Sequence, residues 1–202
     1  MKTVILTGGM GSGKSAVCAC LKAQGVPVYD SDSRTKTLYD RDPVLVGQME
    51  AALGTSLRNA EGRLDRRLLA GIIFSDPASK ALVEGIVYPA VLADFRRWKR
   101  WQRPGGWTYG PVPFVVLESA VILSSPVFDG VADRVVLVEA DETVRLQRAA
   151  VRDGAPRESL LRRIRQQSFD LDRVDAVLVN DGPLDEVPGK VDGVFLNLFL
   201  SL

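Results

Sequence analysis

Eight residues near the start of the chain, Gly8-Gly9-Met10-Gly11-Ser12-Gly13-Lys14-Ser15, fit the pattern G-x-x-x-x-G-K-[ST] and stand directly after the apolar run Val4-Ile5-Leu6. A helical pattern follows, so the glycines occupy a strand-to-helix turn, the context that a phosphate-binding loop requires. Without Cβ atoms the backbone can fold its N–H groups around an anion. The positive end of the following helix points at the same place. Lys14 is expected to reach the β- and γ-phosphates of a nucleotide, and the Ser15 hydroxyl to ligate Mg²⁺. The complete pattern, its position and its flanks set aside a plain glycine-rich turn.

The remaining composition narrows the class. A chain of 202 residues fits one domain with a small appendage, or a core interrupted by insertions. A net charge of +1 argues against a bulk electrostatic partner such as duplex DNA or an anionic membrane. There is no histidine, and the two cysteines, Cys18 and Cys20, lie two apart on one helix, where they point in different directions. Neither a disulfide framework nor a typical zinc site follows from them, and both read as packing residues. No run approaches about 18 uninterrupted apolar residues, and the first apolar run is too short for a signal peptide. A soluble, cytoplasmic protein is expected.

Along the chain, Val4–Leu6 and Val26–Tyr29 read as strands on either side of a helix that ends near Gln24 and is capped at Gly25. This opening makes a parallel sheet covered by helices the expected core. From Ser33 to Gln102 the pattern is almost wholly helical. Asp65 caps a helix with Leu68, Leu69, Ile72 and Ile73 on one face, Asp76-Pro77 starts another with Leu82, Val83 and Ile86, and Pro89 opens a further one with Val91, Leu92, Phe95 and Trp98. So long a helical insertion reads as a substrate-binding subdomain. Trp98, Trp101 and Trp107 gather at its end, either to stack a base or to pack the helix end against the core. Phe114–Leu117 is a strand buried on both faces. Further strands are expected at Arg134–Val138 and Ala176–Val179, with helices over Glu142–Arg152, Arg157–Gln167 and Val187–Leu202.

Asp30 and Asp32 sit where the second strand ends, and in an open α/β sheet ligands gather beyond the carboxyl ends of strands. The D-x-D spacing in an extended segment directs both carboxylates to one face, so one can accept a proton from an attacking hydroxyl while the other positions the acceptor or the metal. Glu118 ends the central strand at the same edge, where it either holds Mg²⁺ through water or orients loop residues. Arg145, Arg148 and Arg152 share a helical face, and Asp153-Gly154-Ala155-Pro156 breaks the chain before a second arginine-bearing helix, as a lid hinge would. Arginines on a closing lid stabilise the charge of a moving phosphoryl group. Arg148 and Arg152 are the two assigned to the nucleotide.

In order along the chain, these segments resemble the dephospho-CoA kinase family. Leu6-Thr7 with the eight-residue loop is similar to its L-T-G-G-I-G-S-G-K-S, and Val28-Tyr29-Asp30-Ser31-Asp32 to its V-I-D-A-D. Leu64-Asp65-Arg66 and Ile72-Ile73-Phe74-Ser75-Asp76-Pro77 resemble its L-D-R and I-V-F-x-D-P; Glu118-Ser119-Ala120 its E-S-A; Leu146-Gln147-Arg148 through Arg152-Asp153 its L-x-R-x-x-x-R-D; and Val179-Asn180-Asp181-Gly182 its I-x-N-D-G. The resemblance implies an α/β fold of the P-loop NTPase type, with helices on both faces of a parallel sheet. It implies a nucleotide core of residues 1–32, 108–150 and 168–202, a helical subdomain for the coenzyme A substrate over 33–107, and a lid over 151–167.

The implied activity is transfer of the γ-phosphoryl of Mg-ATP to the ribose 3′-hydroxyl of dephospho-CoA, the last step of coenzyme A biosynthesis. Asp32 would be the base, assisted by Lys14 and Arg148. The nucleotide contacts would come from Gly9, Met10, Gly11, Ser12, Gly13, Lys14, Ser15, Val17, Arg148, Arg152 and Asn180, with Asn180 near the adenine and Ser15 on the metal. No nucleic acid or membrane partner is implied, and the assembly would be a monomer or a weak homo-oligomer. Two positions depart from the family pattern: Tyr88-Pro89 stands where the family has His-Pro, and Leu123-Ser124-Ser125 lacks the acidic residue of its L-F-E pattern. The nearest rivals are a nucleoside or nucleoside-monophosphate kinase of the same fold and a nucleotide-dependent switch.

Overall fold

Five apolar runs form one sheet: β1 (Lys2–Thr7), β2 (Val28–Asp30), β3 (Phe114–Glu118), β4 (Arg134–Glu139) and β5 (Ala176–Val179). All neighbours pair in parallel, in the order β2-β3-β1-β4-β5. The description rests on a computed structural model that covers residues 1–102, 113–122 and 125–200. Trp107, Leu123 and Ser124 lie outside the described residues. The backbone divides into two compact units, one of Met1–Asp30 with Gln102–Leu202 and the other of Ser31–Trp101.

In the first unit the central strands β1, β3 and β4 are buried on both faces, which is why their sequences are continuous apolar runs, whereas the edge strand β5 leaves Val177 and Val179 exposed. Val4, Leu6, Phe114, Val116, Val136 and Val138 share a face and pack on α1 (Lys14–Ala23) and α8 (Val187–Leu200) through Val17, Leu21, Val191 and Phe195. The rings of Phe114 and Phe195 stack with centroids 5.8 Å apart. α1 ends at the expected place: Gly25 N–H donates to the Lys22 carbonyl and Val26 N–H to that of Leu21, both at 3.0 Å, closing the helix with its orphan carbonyls satisfied. β1 lies centrally between β3 and β4, so the turn that leaves its carboxyl end stands where the strand order reverses direction. α6 (Glu142–Asp153) and α7 (Arg157–Arg165) follow β4 and pack on each other through Leu146, Ala149, Leu160 and Ile164.

The second unit contains α2 (Ser31–Arg41), α3 (Pro43–Leu53), α4 (Arg66–Ser75) and α5 (Pro77–Trp101). Aspartates start three of these helices. Asp42 accepts from the amides of Val44 and Leu45, Asp65 from Arg67 and Leu68, and Asp76 from Ala78 and Ser79, all within 2.9–3.1 Å. On α4 only Leu69 is buried, and Leu68 stays 42% exposed. Asp94, 3% exposed, accepts two hydrogen bonds from Arg34 (2.8 and 2.9 Å) and one from Arg97 (3.0 Å), tying α2 to α5 through a buried carboxylate.

The expectation that Pro89 opens a new helix is corrected: α5 runs unbroken from Pro77 to Trp101 with Pro89 inside it. Pro89 and Gly85, whose carbonyl loses its partner, both lie on the exposed side, where water can replace the missing bond. The buried stripe Val83, Val87, Val91 and Phe95 continues through it and holds the helix together. At the helix end Trp98 stacks on Phe95 with centroids 6.0 Å apart, while Trp101 is 77% exposed, so packing describes the first tryptophan and not the second. Replacing Pro89 with Ala restores the bond to the Gly85 carbonyl. It is expected to raise stability by about 1–3 kcal/mol, and a urea midpoint at or below that of the parent would contradict this account.

Candidate functional site

The loop between β1 and α1 is shaped by groups that reach it from late in the chain. α1 begins at Lys14 with Gly13 as N-cap at φ 92°, no side chain caps it, and its first turn has no acidic residue. A helix start of that kind presents its first amides and its positive end to an anion. A Cβ on Gly13 would collide with the Nδ2 of Asn180. That nitrogen donates 2.9 Å to the Ser12 carbonyl, and Asn180 is only 1% exposed. Gly11, at φ 77°, sits against the backbone of Arg145 on α6, again with no room for a Cβ.

Three cations surround this turn. Lys14 Nζ donates to the Gly8 carbonyl at 2.6 Å and lies 3.9 Å from Glu118 at the end of β3. Arg148 donates to the carbonyls of Asn180 (2.7 Å) and Gly182 (2.9 Å), holding the turn after β5 beside the loop. Arg145 Nε donates to the Met10 carbonyl (2.9 Å). Thr7 Oγ1, Ser12 Oγ and Asn180 Oδ1 are buried side-chain atoms with no protein hydrogen-bond partner, and all three belong to the loop or touch it. Buried polar atoms are rarely left so. Their concentration here marks a surface built for a polar ligand. A cleft of about 450 Å³ opens beside the loop, lined by Gly9, Ser12, Ala140, Arg145, Phe169 and Asp181 among others.

The structure therefore brings together the loop residues Gly9 to Ser15, Arg148, Asn180 and Glu118. It does not bring Val17 into that group. Expected at the nucleotide, Val17 is fully buried in the core under the sheet, and its amide is bonded to the Gly13 carbonyl. Arg152 is turned outward, 62% exposed, in a forked pair with Asp153 at 2.6 and 2.9 Å. Cys18 is buried in the core, and burial pushes its thiol up to about 12, which suits a packing role.

The acidic pair is also rearranged. Asp30 ends β2, in register with Glu118, but the chain turns helical at once, so Asp32 lies in the first turn of α2 and is exposed. The two carboxylates thus do not share the face of one extended segment. Ser31 and Asp32 are favoured in the opening turn of a helix, where a carboxylate meets the positive end, and that preference wins over strand continuation. Within the second unit Tyr88 donates to Glu84 at 2.8 Å, and its phenol is pushed up chiefly by burial, then by Glu84 and more weakly by Tyr39 and Asp32. Tyr88 is therefore a neutral hydrogen-bond donor, without the charge that a histidine can take up.

Sequence reasoning passed over Gln167, whose Oε1 accepts from the Met10 amide at 2.7 Å. It also assigned Arg148 and Arg152 to the nucleotide and gave no role of its own to Arg145, which lies one turn before Arg148 on the same helix face. No local pattern marks Gln167.

For a divalent cation the donor chemistry at this edge is suitable: an exposed Ser15 hydroxyl at the start of α1 and carboxylates at the ends of β2 and β3. All are oxygen donors, and Mg²⁺ held through a hydroxyl and substrate phosphates needs no protein cage. Among the described residues no group of three or more His, Cys, Asp or Glu side chains is placed to hold a metal by itself.

A family model described as dephospho-CoA kinase matches residues 2–186. The dephospho-CoA kinase of Frankia casuarinae is 36% identical over 201 residues, covering 98% of this chain and 84% of its own. That of Porphyromonas gingivalis is 37% identical over 195 residues, covering 95% and 92%. A crystal structure from Thermus thermophilus is similar with a TM-score of 0.78 at 28% identity, over 98% of this chain and 97% of that one.

Gly13→Ala sets a side chain at positive φ against the Asn180 amide. It is expected to weaken ATP binding by about tenfold or more, and calorimetric titration giving parental affinity would overturn the seating described for the loop.

Proposed function

The chain belongs to the dephospho-CoA kinase family, whose reaction is the ATP-dependent phosphorylation of dephospho-CoA in coenzyme A biosynthesis, and we propose that Asp32, Lys14 and Arg148 carry that reaction out on the ribose 3′-hydroxyl. The observation that supports this most is the phosphate loop itself: Lys14, Arg148 and the start of α1 converge on one turn at the carboxyl edge of the sheet.

Loop amides and Lys14 bind the triphosphate of ATP. Arg148, fixed by two carbonyls, keeps a full positive charge beside the α1 N-terminus for the charge that spreads over the moving phosphoryl group. Asp32 accepts the proton of the 3′-hydroxyl as its oxygen attacks phosphorus and the bond to the ADP leaving group breaks. Glu118 holds Lys14 from the strand edge. Ser15 would hold Mg²⁺, which when bound would supply positive charge against the phosphates. Asn180 places the turn that borders the adenine.

Residues 151–167 form the lid in this reading, and 33–107 receive the acceptor. Arg152 reaches the nucleotide by exchanging its pair with Asp153; such an exposed pair contributes little, so the exchange is easy. The reaction moves a phosphoryl group from one water-soluble nucleotide to another, which fits a cytoplasmic enzyme.

Incubation with ATP, magnesium and dephospho-CoA, with the product resolved by mass, is expected to give a 3′-phosphorylated coenzyme and ADP. Preference for a nucleoside monophosphate in the same assay would reassign the acceptor. Asp32→Asn is expected to lower turnover by roughly two to four orders of magnitude while ATP still binds; near-parental turnover would remove Asp32 from the mechanism. Lys14→Ala is expected to weaken ATP binding itself, and unchanged affinity would count against the role given to the loop.

A further inference from the structure

Met10, at the tip of the phosphate loop, has both of its backbone polar groups taken by side chains from more than a hundred residues away. Its N–H donates to Gln167 Oε1 at 2.7 Å, and its carbonyl accepts from Arg145 Nε at 2.9 Å. Arg145 Nη2 closes the ring by donating to the same Gln167 oxygen at 2.9 Å. The Met10 side chain leans on the apolar cluster that joins α6 to α7. Gln167 stands just past the C-cap of α7, Gln166, with its own N–H bonded to the Ile164 carbonyl. The fork of Arg145 thus spans a main-chain carbonyl and a side-chain amide, and neither partner carries charge.

We propose that Arg145 and Gln167 are positioning residues that clamp the Met10 peptide, so that the placement of the α6–α7 pair sets the conformation of the phosphate loop and with it the affinity for ATP. The physical reason is preorganisation. A loop with four glycines among its eight residues loses much backbone freedom when it closes on a triphosphate. A ring of hydrogen bonds that already holds its tip removes part of that loss from the binding step. One end of the ring is carried by α6, which also bears Arg148, and the other by the residue that ends the proposed lid. Rearrangement of α7 therefore reaches the loop through Gln167 and the Met10 amide. The proposal rests on the loop being the ATP site.

The test is a double-mutant cycle on the full chain: Arg145→Ala, Gln167→Ala and the double variant, with ATP affinity by calorimetry and KM for both substrates by turnover. Each single variant is expected to weaken ATP binding by about five- to thirtyfold. The double is expected to be little worse than either single, because one ring is broken in each case. The KM for dephospho-CoA should change less than twofold and the thermal midpoint by no more than a few degrees. Arg145→Lys, which keeps the charge but cannot span both partners, is expected to behave as Arg145→Ala does. Additive losses, equal changes in both KM values, or recovery by Arg145→Lys would overturn the clamp. Parental protein that binds ATP but does not phosphorylate dephospho-CoA would sink the functional reading and leave the clamp to be judged on ATP affinity alone.

Discussion

A loop that turns its N–H groups toward an anion must turn carbonyls the other way, and those carbonyls need donors. In this chain the donors are side chains. The carbonyls of Gly8, Met10 and Ser12, at alternate positions, accept from Lys14, Arg145 and Asn180 respectively. Each donor comes from a different place: the helix that follows the loop, the helix after β4, and the turn after β5. The loop is held by the rest of the fold as much as by its own glycines. Gly9, Gly11 and Gly13 are needed because Arg145 and Asn180 approach so closely that a Cβ has no room.

The same arrangement sorts the cations. Arg145 and Arg148 hydrogen-bond neutral oxygens. Arg152 and Arg165 bind carboxylates, Asp153 and Glu142, and are more than half exposed. A guanidinium that has its geometry fixed by carbonyls acts as a placed charge; one that shares an exposed carboxylate contributes little until it changes partner. Seven arginines between residues 145 and 165 look alike in one dimension, and this difference in partner separates them.

How far the sequence could be read follows from the range of the forces. Helix starts at Asp65 and Asp76 and the close of α1 at Gly25 were legible because they depend on hydrogen bonds within a few residues. The buried strands Phe114–Glu118 and Arg134–Glu139 were legible from continuous apolar runs. Pro89 misled because its local penalty is outweighed by a buried stripe on the other side of α5. The D-x-D pair misled because its spacing holds only if the strand continues, and a helix begins between the two residues. Asp94 stands among apolar neighbours and gave no sign that two arginines, one of them 60 residues earlier, would bury and neutralise it.

The chain by itself determined that a triphosphate-binding turn would follow a central strand, since glycine, lysine and hydroxyl in that order leave the backbone little else to do there, and the ordered motifs determined the family. Only the tertiary structure decided which side chains hold the turn. Asn180 meets Ser12 across 168 residues and Gln167 meets Met10 across 157, distances at which no spacing rule operates. Such contacts exist because the parallel sheet sets the ends of β1, β4 and β5 side by side, and the partner of each loop carbonyl is whichever donor that edge delivers.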